Sequence, residues 1–140
     1  MKPKFKLLFL VILVLFLGVT NVNAENISFF GRPKSITFKG ENQNWCVVHR
    51  MYLIGTEIEY ETIIKYKGND AKLITLPSLY YSITDKDVEL AGTFSLKRSN
   101  VFQSERTECF GCKYLDKKKD ITFIIGQWED YEESLILKRE

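Results

Sequence analysis

Histidine is nearly missing from this sequence: His49 is the only one in 140 residues. Any histidine-based triad must therefore be built on it. No G-x-S-x-G elbow and no H-E-x-x-H helix motif is present. Alanine is scarce, with Ala71 and Ala91 alone beyond Ala24, and there are only three prolines. Helix-rich folds and proline-rich linkers are disfavoured accordingly. A charge excess of one sign is lacking too. Against 20 Lys+Arg stand 18 Asp+Glu, which argues against a dedicated nucleic-acid binder. The length allows one domain and excludes multidomain enzymes, TIM barrels and most cofactor-binding α/β folds. No cofactor and no nucleic-acid partner is expected.

The amino terminus has what the rest lacks, a long apolar run. Lys2, Lys4 and Lys6 form a cationic head, residues 7–17 are unbroken apolar, and Val22-Asn23-Ala24 places compact residues before a cleavage point. This is the three-part pattern of a secretory signal peptide over residues 1–24, and the apolar core is short for a membrane span. The expected location is extracellular. The alternative is a tether through an uncleaved signal anchor, the only membrane contact the sequence offers. Residues 25–140 then carry 17 basic and 18 acidic side chains, a formal charge of −1. They read as one β-rich domain.

Period-two alternation is clearest over residues 57–67. Ile58, Tyr60, Thr62, Ile64 and Tyr66 share one face; Glu57, Glu59, Glu61, Lys65 and Lys67 share the other. That is a half-buried antiparallel strand, broken by Gly68-Asn69-Asp70. Trp45, Val47, His49, Met51 and Leu53 mark a second strand, ended at Gly55. Val88, Leu90, Phe94 and Leu96 mark a third, with a bend or bulge expected at Ala91-Gly92. Ile121, Phe123 and Ile125 open a fourth that runs to about Trp128, and residues 131–138 return as its hairpin partner. Ile36 and Phe38 indicate a short early strand, and residues 79–83 and 107–114 are weaker candidates. Seven or eight short strands predict an all-β, antiparallel, Ig-like sandwich, with a small β-barrel as the alternative. Trp45, Tyr60, Phe94 and Trp128 are expected to fill the space between two sheets.

Three segments carry a resemblance: Gly40-Glu41-Asn42-Gln43-Asn44-Trp45, then Ile64-Lys65-Tyr66-Lys67-Gly68-Asn69, then Trp128-Glu129-Asp130-Tyr131-Glu132-Glu133-Ser134-Leu135. The chain resembles a group of small uncharacterised exported proteins and lipoproteins of Bacillus-like Gram-positive bacteria. That group shares a GES-x-NW opening, a YKG strand end and a final W-x-G-K-x-E hairpin. The resemblance implies an export signal and a small β-rich domain, and it brings no activity and no site residues. The chain departs from the group in having no lipidation cysteine after the apolar run and in having three cysteines elsewhere.

Those cysteines, Cys46, Cys109 and Cys112, leave four readings. In the first, two form a structural disulfide and the third is buried. Joining Cys46 to Cys109 or Cys112 would close a loop of more than 60 residues, worth ~4 kcal/mol on the chain-entropy model. In the second, Cys109-Phe110-Gly111-Cys112 is a thiol redox pair. No helix signal follows it, and Glu108 would raise the first thiol's pKa. In the third, Cys46-Val47-Val48-His49 and the C-x2-C half combine as a Cys3His zinc site. Residues three apart on a strand face opposite ways, which opposes that geometry. The fourth is three free thiols. The first reading predicts that Cys46 approaches one of the other two, with His49 turned away from all three.

The remaining polar groups read as surface. Glu57, Glu59 and Glu61 look like a solvated strand face, and Glu129, Asp130, Glu132 and Glu133 a charged hairpin tip. Asp85-Lys86-Asp87 with Glu89 is too short for a calcium loop. Lys117-Lys118-Lys119 is an exposed turn that could face an anionic wall polymer or lipid. Asn26-Ile27-Ser28 matches a glycosylation sequon, relevant only in a eukaryotic secretory pathway. The functional expectation is a non-catalytic binding or structural module at the cell surface, partnered by a surface protein or wall polymer. The alternative is a thiol redox or zinc protein.

Overall fold

The computed structural model describes residues 34–86, 88–128 and 130–140. The signal segment, the sequon, Asp87 and Glu129 lie outside the described residues. Nine strands and one short helix follow in order: β1 (Lys34–Glu41), β2 (Trp45–Ile54), β3 (Glu57–Tyr66), α1 (Ala71–Thr75), β4 (Leu79–Asp85), β5 (Val88–Phe94), β6 (Val101–Gln103), β7 (Thr107–Glu108), β8 (Asp120–Gln127) and β9 (Tyr131–Arg139).

They form one sheet in the order β5-β4-β8-β9-β1-β2-β3-β6, with β7 also on β3. Every ladder described is antiparallel. The all-β expectation holds, and the sheet is nearly closed into a barrel, the arrangement given as the alternative to a two-sheet sandwich. The two ends of the sheet, β5 and β6, are joined by side chains rather than by a ladder. The Phe102 ring on β6 lies 5.4 Å from Phe94 and 6.1 Å from Tyr81. An edge that cannot pair is thereby covered with aromatic surface.

Alternation places the core. Phe38, Trp45, Val47, Met51, Ile64, Ile83, Phe123, Ile125 and Leu137 are wholly buried. They are inward positions of six strands, and they fill the interior as side chains do in small barrels. Trp128 is the correction. It does not fill the interior but is 76% exposed. Ile121, Phe123 and Ile125 point inward, so even-numbered positions of β8 point outward, and Trp128 continues that outer phase into the turn.

Turn chemistry explains the connections. β2 and β3 are joined by Gly55-Thr56, a two-residue hairpin with Ile54 opposite Glu57 and Gly55 at φ +63°, as tight hairpins require. Helix α1 was not anticipated. The Asp70 side chain accepts the Lys72 N–H at 2.8 Å and caps its start. Its end comes at Leu76, ahead of Pro77, where helical backbone is disfavoured.

Two strand expectations change. Only Thr107 and Glu108 of the stretch 107–114 pair with β3. No bulge interrupts Ala91-Gly92, because the β4–β5 register runs unbroken from Leu79↔Phe94 to Asp85↔Val88. Gly92 instead makes room for a ring: a Cβ there would lie 2.6 Å from the Tyr81 side chain.

Gly40 marks the closest backbone approach. The β1–β9 ladder is short, Phe38↔Arg139 and Lys39↔Lys138, and a Cβ on Gly40 would meet the Ile136 carbonyl oxygen at 2.5 Å. Gly40→Ala is therefore expected to destabilise the protein by about 1–3 kcal/mol through overpacking. Gly55→Ala, where space is open but φ is positive, is expected to cost about 1–2 kcal/mol. Urea midpoints of the two variants check this, and a Gly40→Ala midpoint equal to the parent's would contradict it.

Candidate functional site

The three segments that carry the resemblance meet at one end of the sheet. In the β1–β2 turn, Asn42 Oδ1 accepts the N–H groups of Asn44 at 2.9 Å and Trp45 at 2.8 Å. This Asx arrangement leaves the Asn42 and Asn44 amide nitrogens facing outward from the turn. Both donate to Glu133 on β9: Asn42 Nδ2 to Oε2 and Asn44 Nδ2 to Oε1, each at 2.8 Å. Tyr131 donates its hydroxyl to Glu133 Oε1 and accepts the Trp45 indole N–H at 2.8 Å. Lys67 N–H donates to the Asn44 carbonyl at 2.7 Å, and the Tyr66 ring packs 4.8 Å from Trp45.

Glu133 is therefore not part of a solvated hairpin tip. It follows the inward phase of Leu135 and Leu137, opposite Ile125. Burial alone would push its pKa up, but the donors from Tyr131, Asn44 and Asn42 outweigh burial and hold it below the usual carboxylate range. Burial and the bond to Glu133 push the Tyr131 phenol well above its ordinary value. The group works as an anionic clamp on the β1–β2 turn.

The outer face of the same hairpin carries a different arrangement. Tyr80 of β4 lies across Gly126 of β8, where a Cβ would come within 2.6 Å of the phenol oxygen. Tyr80 donates its hydroxyl to Glu132 Oε2 at 2.8 Å, and its ring lies 4.7 Å from the Trp128 indole, tilted by 34°. Beside it is a cleft of about 350 Å³ lined by Tyr80, Gln127, Asp130, Tyr131 and Glu132. Hydrogen bond, ring contact and missing Cβ together hold Tyr80 as a fixed backing for an exposed indole. No reading of the sequence marked this platform. Its one signal was the even phase of Thr122, Ile124, Gly126 and Trp128 on β8.

The four residues proposed for sulfur or zinc chemistry do not converge. Cys109 and Cys112 form a disulfide, with Cα atoms 5.6 Å apart, and Cys46 is free. Two of the three cysteines pair, as the first reading has it, whereas the expectations that Cys46 approaches one of the other two and that the third cysteine is buried are corrected, as is the reading of three free thiols. Cys46 lies opposite Glu41 and Lys65 in the ladder, on the outer face of β2. The Cys109 N–H donates to the Ile58 carbonyl, and Ile58 pairs with Leu53. Seven strand positions, roughly 23 Å, separate Leu53 from Cys46. A four-residue loop also stabilises less than a long one, ~2 kcal/mol on the same entropy model.

His49 points into the core, opposite in phase to Cys46. It is wholly buried, its Nδ1 is 2.9 Å from Thr62 Oγ1, and its Nε2 makes no hydrogen bond. Burial lowers its pKa to about 4. It is a neutral core residue without access to a substrate.

The glutamate face of β3 differs from its sequence reading, whereas the lysine turn is exposed at Lys117 and Lys119 as expected. Glu59 and Glu61 are held rather than freely solvated. Glu61 accepts from Arg50 at 3.0 Å and from the Tyr52 hydroxyl at 2.7 Å, and Glu59 pairs with Arg106, whose guanidinium lies 3.8 Å over the Tyr52 ring. Lys117, Lys118 and Lys119 join Lys138 and Arg139 around a groove of about 660 Å³. Asp120 and Glu140 also line it, and Lys118 pairs with Asp85 at 2.9 Å.

Comparison with protein-family models, curated proteins and solved structures returned no match.

The buried groups fix how stability responds to acid. His49 titrates lower in the folded protein than in the unfolded chain, so unfolding takes up a proton between pH 6.5 and about 4. Stability is expected to fall by about 3 kcal/mol as pH drops through that window. Glu133 has a lowered folded pKa; its contribution is complete above the ordinary glutamate value and is lost on further acidification through the folded value. Urea midpoints measured from pH 7 to 3 check both. His49→Gln is expected to flatten the upper window only. Glu133→Gln presents an amide N–H₂ to groups that are themselves donors; it is expected to cost about 1–3 kcal/mol at pH 7 and to flatten the lower window.

Proposed function

We propose that this chain is an exported, non-catalytic binding module at the cell surface, and that it takes its ligand on the outer face of the β8–β9 hairpin. The observation that carries the reading is Trp128, exposed yet seated on a tyrosine that Glu132 and Gly126 hold in place. An indole left in water on a rigid backing is the kind of surface that recognition sites use. The cleft beside it is within the size range of ligand pockets, at about 350 Å³. Export rests on the amino-terminal pattern of residues 1–24.

Support for a non-catalytic role comes from the state of the reactive side chains. His49 is sealed in the core, and the Glu133 carboxylate is engaged by three donors. Neither is placed to meet a substrate as a general base, which needs hydrogen-bond reach to the reacting proton.

Arrays of wall glycans, anionic wall polymers and synthetic peptides, probed with the purified protein, test this. Retention of one ligand class is expected, and Trp128→Ala should weaken it measurably without moving the urea midpoint, because the side chain is largely in solvent. Unchanged retention by Trp128→Ala, or substrate turnover in hydrolase panels, would overturn the reading.

A further inference from the structure

The chemistry around the indole selects among ligands. We infer that the Trp128 platform binds a cation bearing N–H groups, the lysine or arginine side chain of a partner peptide. The inference rests on the binding-module reading and names the ligand class of that same site.

Three observations carry it. First, the cleft is acidic. Asp130 and Glu132 both line it, and among the described residues neither lies within ion-pair distance of a lysine or arginine. Elsewhere on the surface, carboxylates beside aromatic rings do have such partners: Glu61 has Arg50, and Glu59 has Arg106 over the Tyr52 ring. The protein thus contains a completed cation–aromatic–carboxylate group on β2–β3. Beside Trp128, Tyr80 and the Asp130 and Glu132 carboxylates stand without such a cation among the described residues. Second, an indole is the best of the aromatic faces for holding a cation, and guanidinium groups also stack on it. Third, Glu132 uses only Oε2 for Tyr80. Its Oε1, with the Asp130 carboxylate, is left to accept hydrogen bonds. A quaternary ammonium has no N–H to offer these oxygens, whereas a primary ammonium or a guanidinium does. A neutral sugar could stack on the ring and donate hydroxyls to these oxygens, but it would leave both negative charges uncompensated. The site lies at the tip of a hairpin and is open to solvent on one side, so an extended peptide can reach it.

Fluorescence titration of the purified protein reads Trp128 directly, since Trp45 is buried. The probes are a Gly-Ser peptide carrying spaced lysines, its arginine counterpart, the same lysine peptide acetylated at Nε, tetramethylammonium chloride, and methyl glucoside. Saturable quenching by the lysine or arginine peptide is expected, with no response to the acetylated one. The affinity should fall about five-fold in Trp128→Ala, measured by calorimetry. It should fall about three-fold in Glu132→Gln and in Asp130→Asn, and it should weaken as salt is raised. Glu132→Gln keeps an oxygen for the Tyr80 hydroxyl and so removes charge without removing the backing. Tetramethylammonium binding as tightly as the lysine peptide would overturn the N–H requirement and with it the inference. Methyl glucoside binding through Trp128 while the cationic peptides stay silent would overturn the cationic class and leave the binding-module reading standing. Silence of every probe would also overturn the inference, and the array experiment would then decide the broader reading separately.

Discussion

An inward-facing carboxylate near the end of a barrel needs a reason to stay there. Glu133 occupies a core-phase position on β9, where a charged group would ordinarily be expelled, and no cation balances it within ion-pair distance among the described residues. Three side-chain donors take that role: Asn42, Asn44 and the Tyr131 hydroxyl. Hydrogen bonds to an ionised acceptor are roughly twice as strong as neutral ones. Removing the acceptor would leave three donors unsatisfied at once. The β1–β2 turn, the Trp45 indole and the start of β9 are held through this one group. Trp45 in turn carries Tyr66 and Phe94 against its ring. Packing thus spreads from a polar contact at the rim into the aromatic interior.

The same constraint explains how two adjacent residues have opposite roles. Strand alternation places Glu132 outside and Glu133 inside. Glu133 fixes the hairpin to the β1–β2 turn, and Glu132 fixes Tyr80 beneath Trp128. A one-residue slip of β9 against β8 would exchange them. It would bury an unsatisfied carboxylate and expose Leu135 and Leu137, which is why the register is unambiguous. The Trp128 platform is therefore a by-product of the register that the clamp enforces. Its rigidity comes from the sheet rather than from the turn, and preorganisation of that kind is what limits the entropic cost of binding.

Alternation was readable directly, and it yielded most of the fold. The inward sets on β2, β3, β5 and β8 are the ones the pattern marks, because one face of each strand is dry and the other wet. It failed where polarity and position disagree. Glu133 is charged yet inward, and Trp128 is aromatic yet outward; composition alone sorts both to the wrong side. Following phase strictly from Ile125 and Leu137 would have sorted them correctly. Helix α1 was missed because its five residues follow a turn signal, and only the Asp70 cap and Pro77 bound it. The cysteine pairing was not legible, since strand phase says which face Cys46 takes but not where the Cys109–Cys112 loop docks along β3. That distance depends on the long return from β5 through β6, a non-local feature with no local signal.

Burying the only histidine has a further consequence for where chemistry can occur. The ring meets Thr62 through Nδ1 and lies 5.9 Å from the Tyr60 ring, in a barrel otherwise filled by aliphatic and aromatic groups. Its neutrality is enforced by desolvation, and the same desolvation denies it a substrate. Among the described inward residues, Glu133 is engaged at the rim by Asn42, Asn44 and Tyr131. On the binding-module reading proposed above, recognition falls to the outer faces, where exposed rings lie. Arg50 with Glu61 and Arg106 with Glu59 already neutralise one another around Tyr52 on the β2–β3 face. The Trp128 platform differs in keeping its ring exposed and Asp130 and Glu132 without an ion-pair partner among the described residues, and that asymmetry is what favours it as the proposed site.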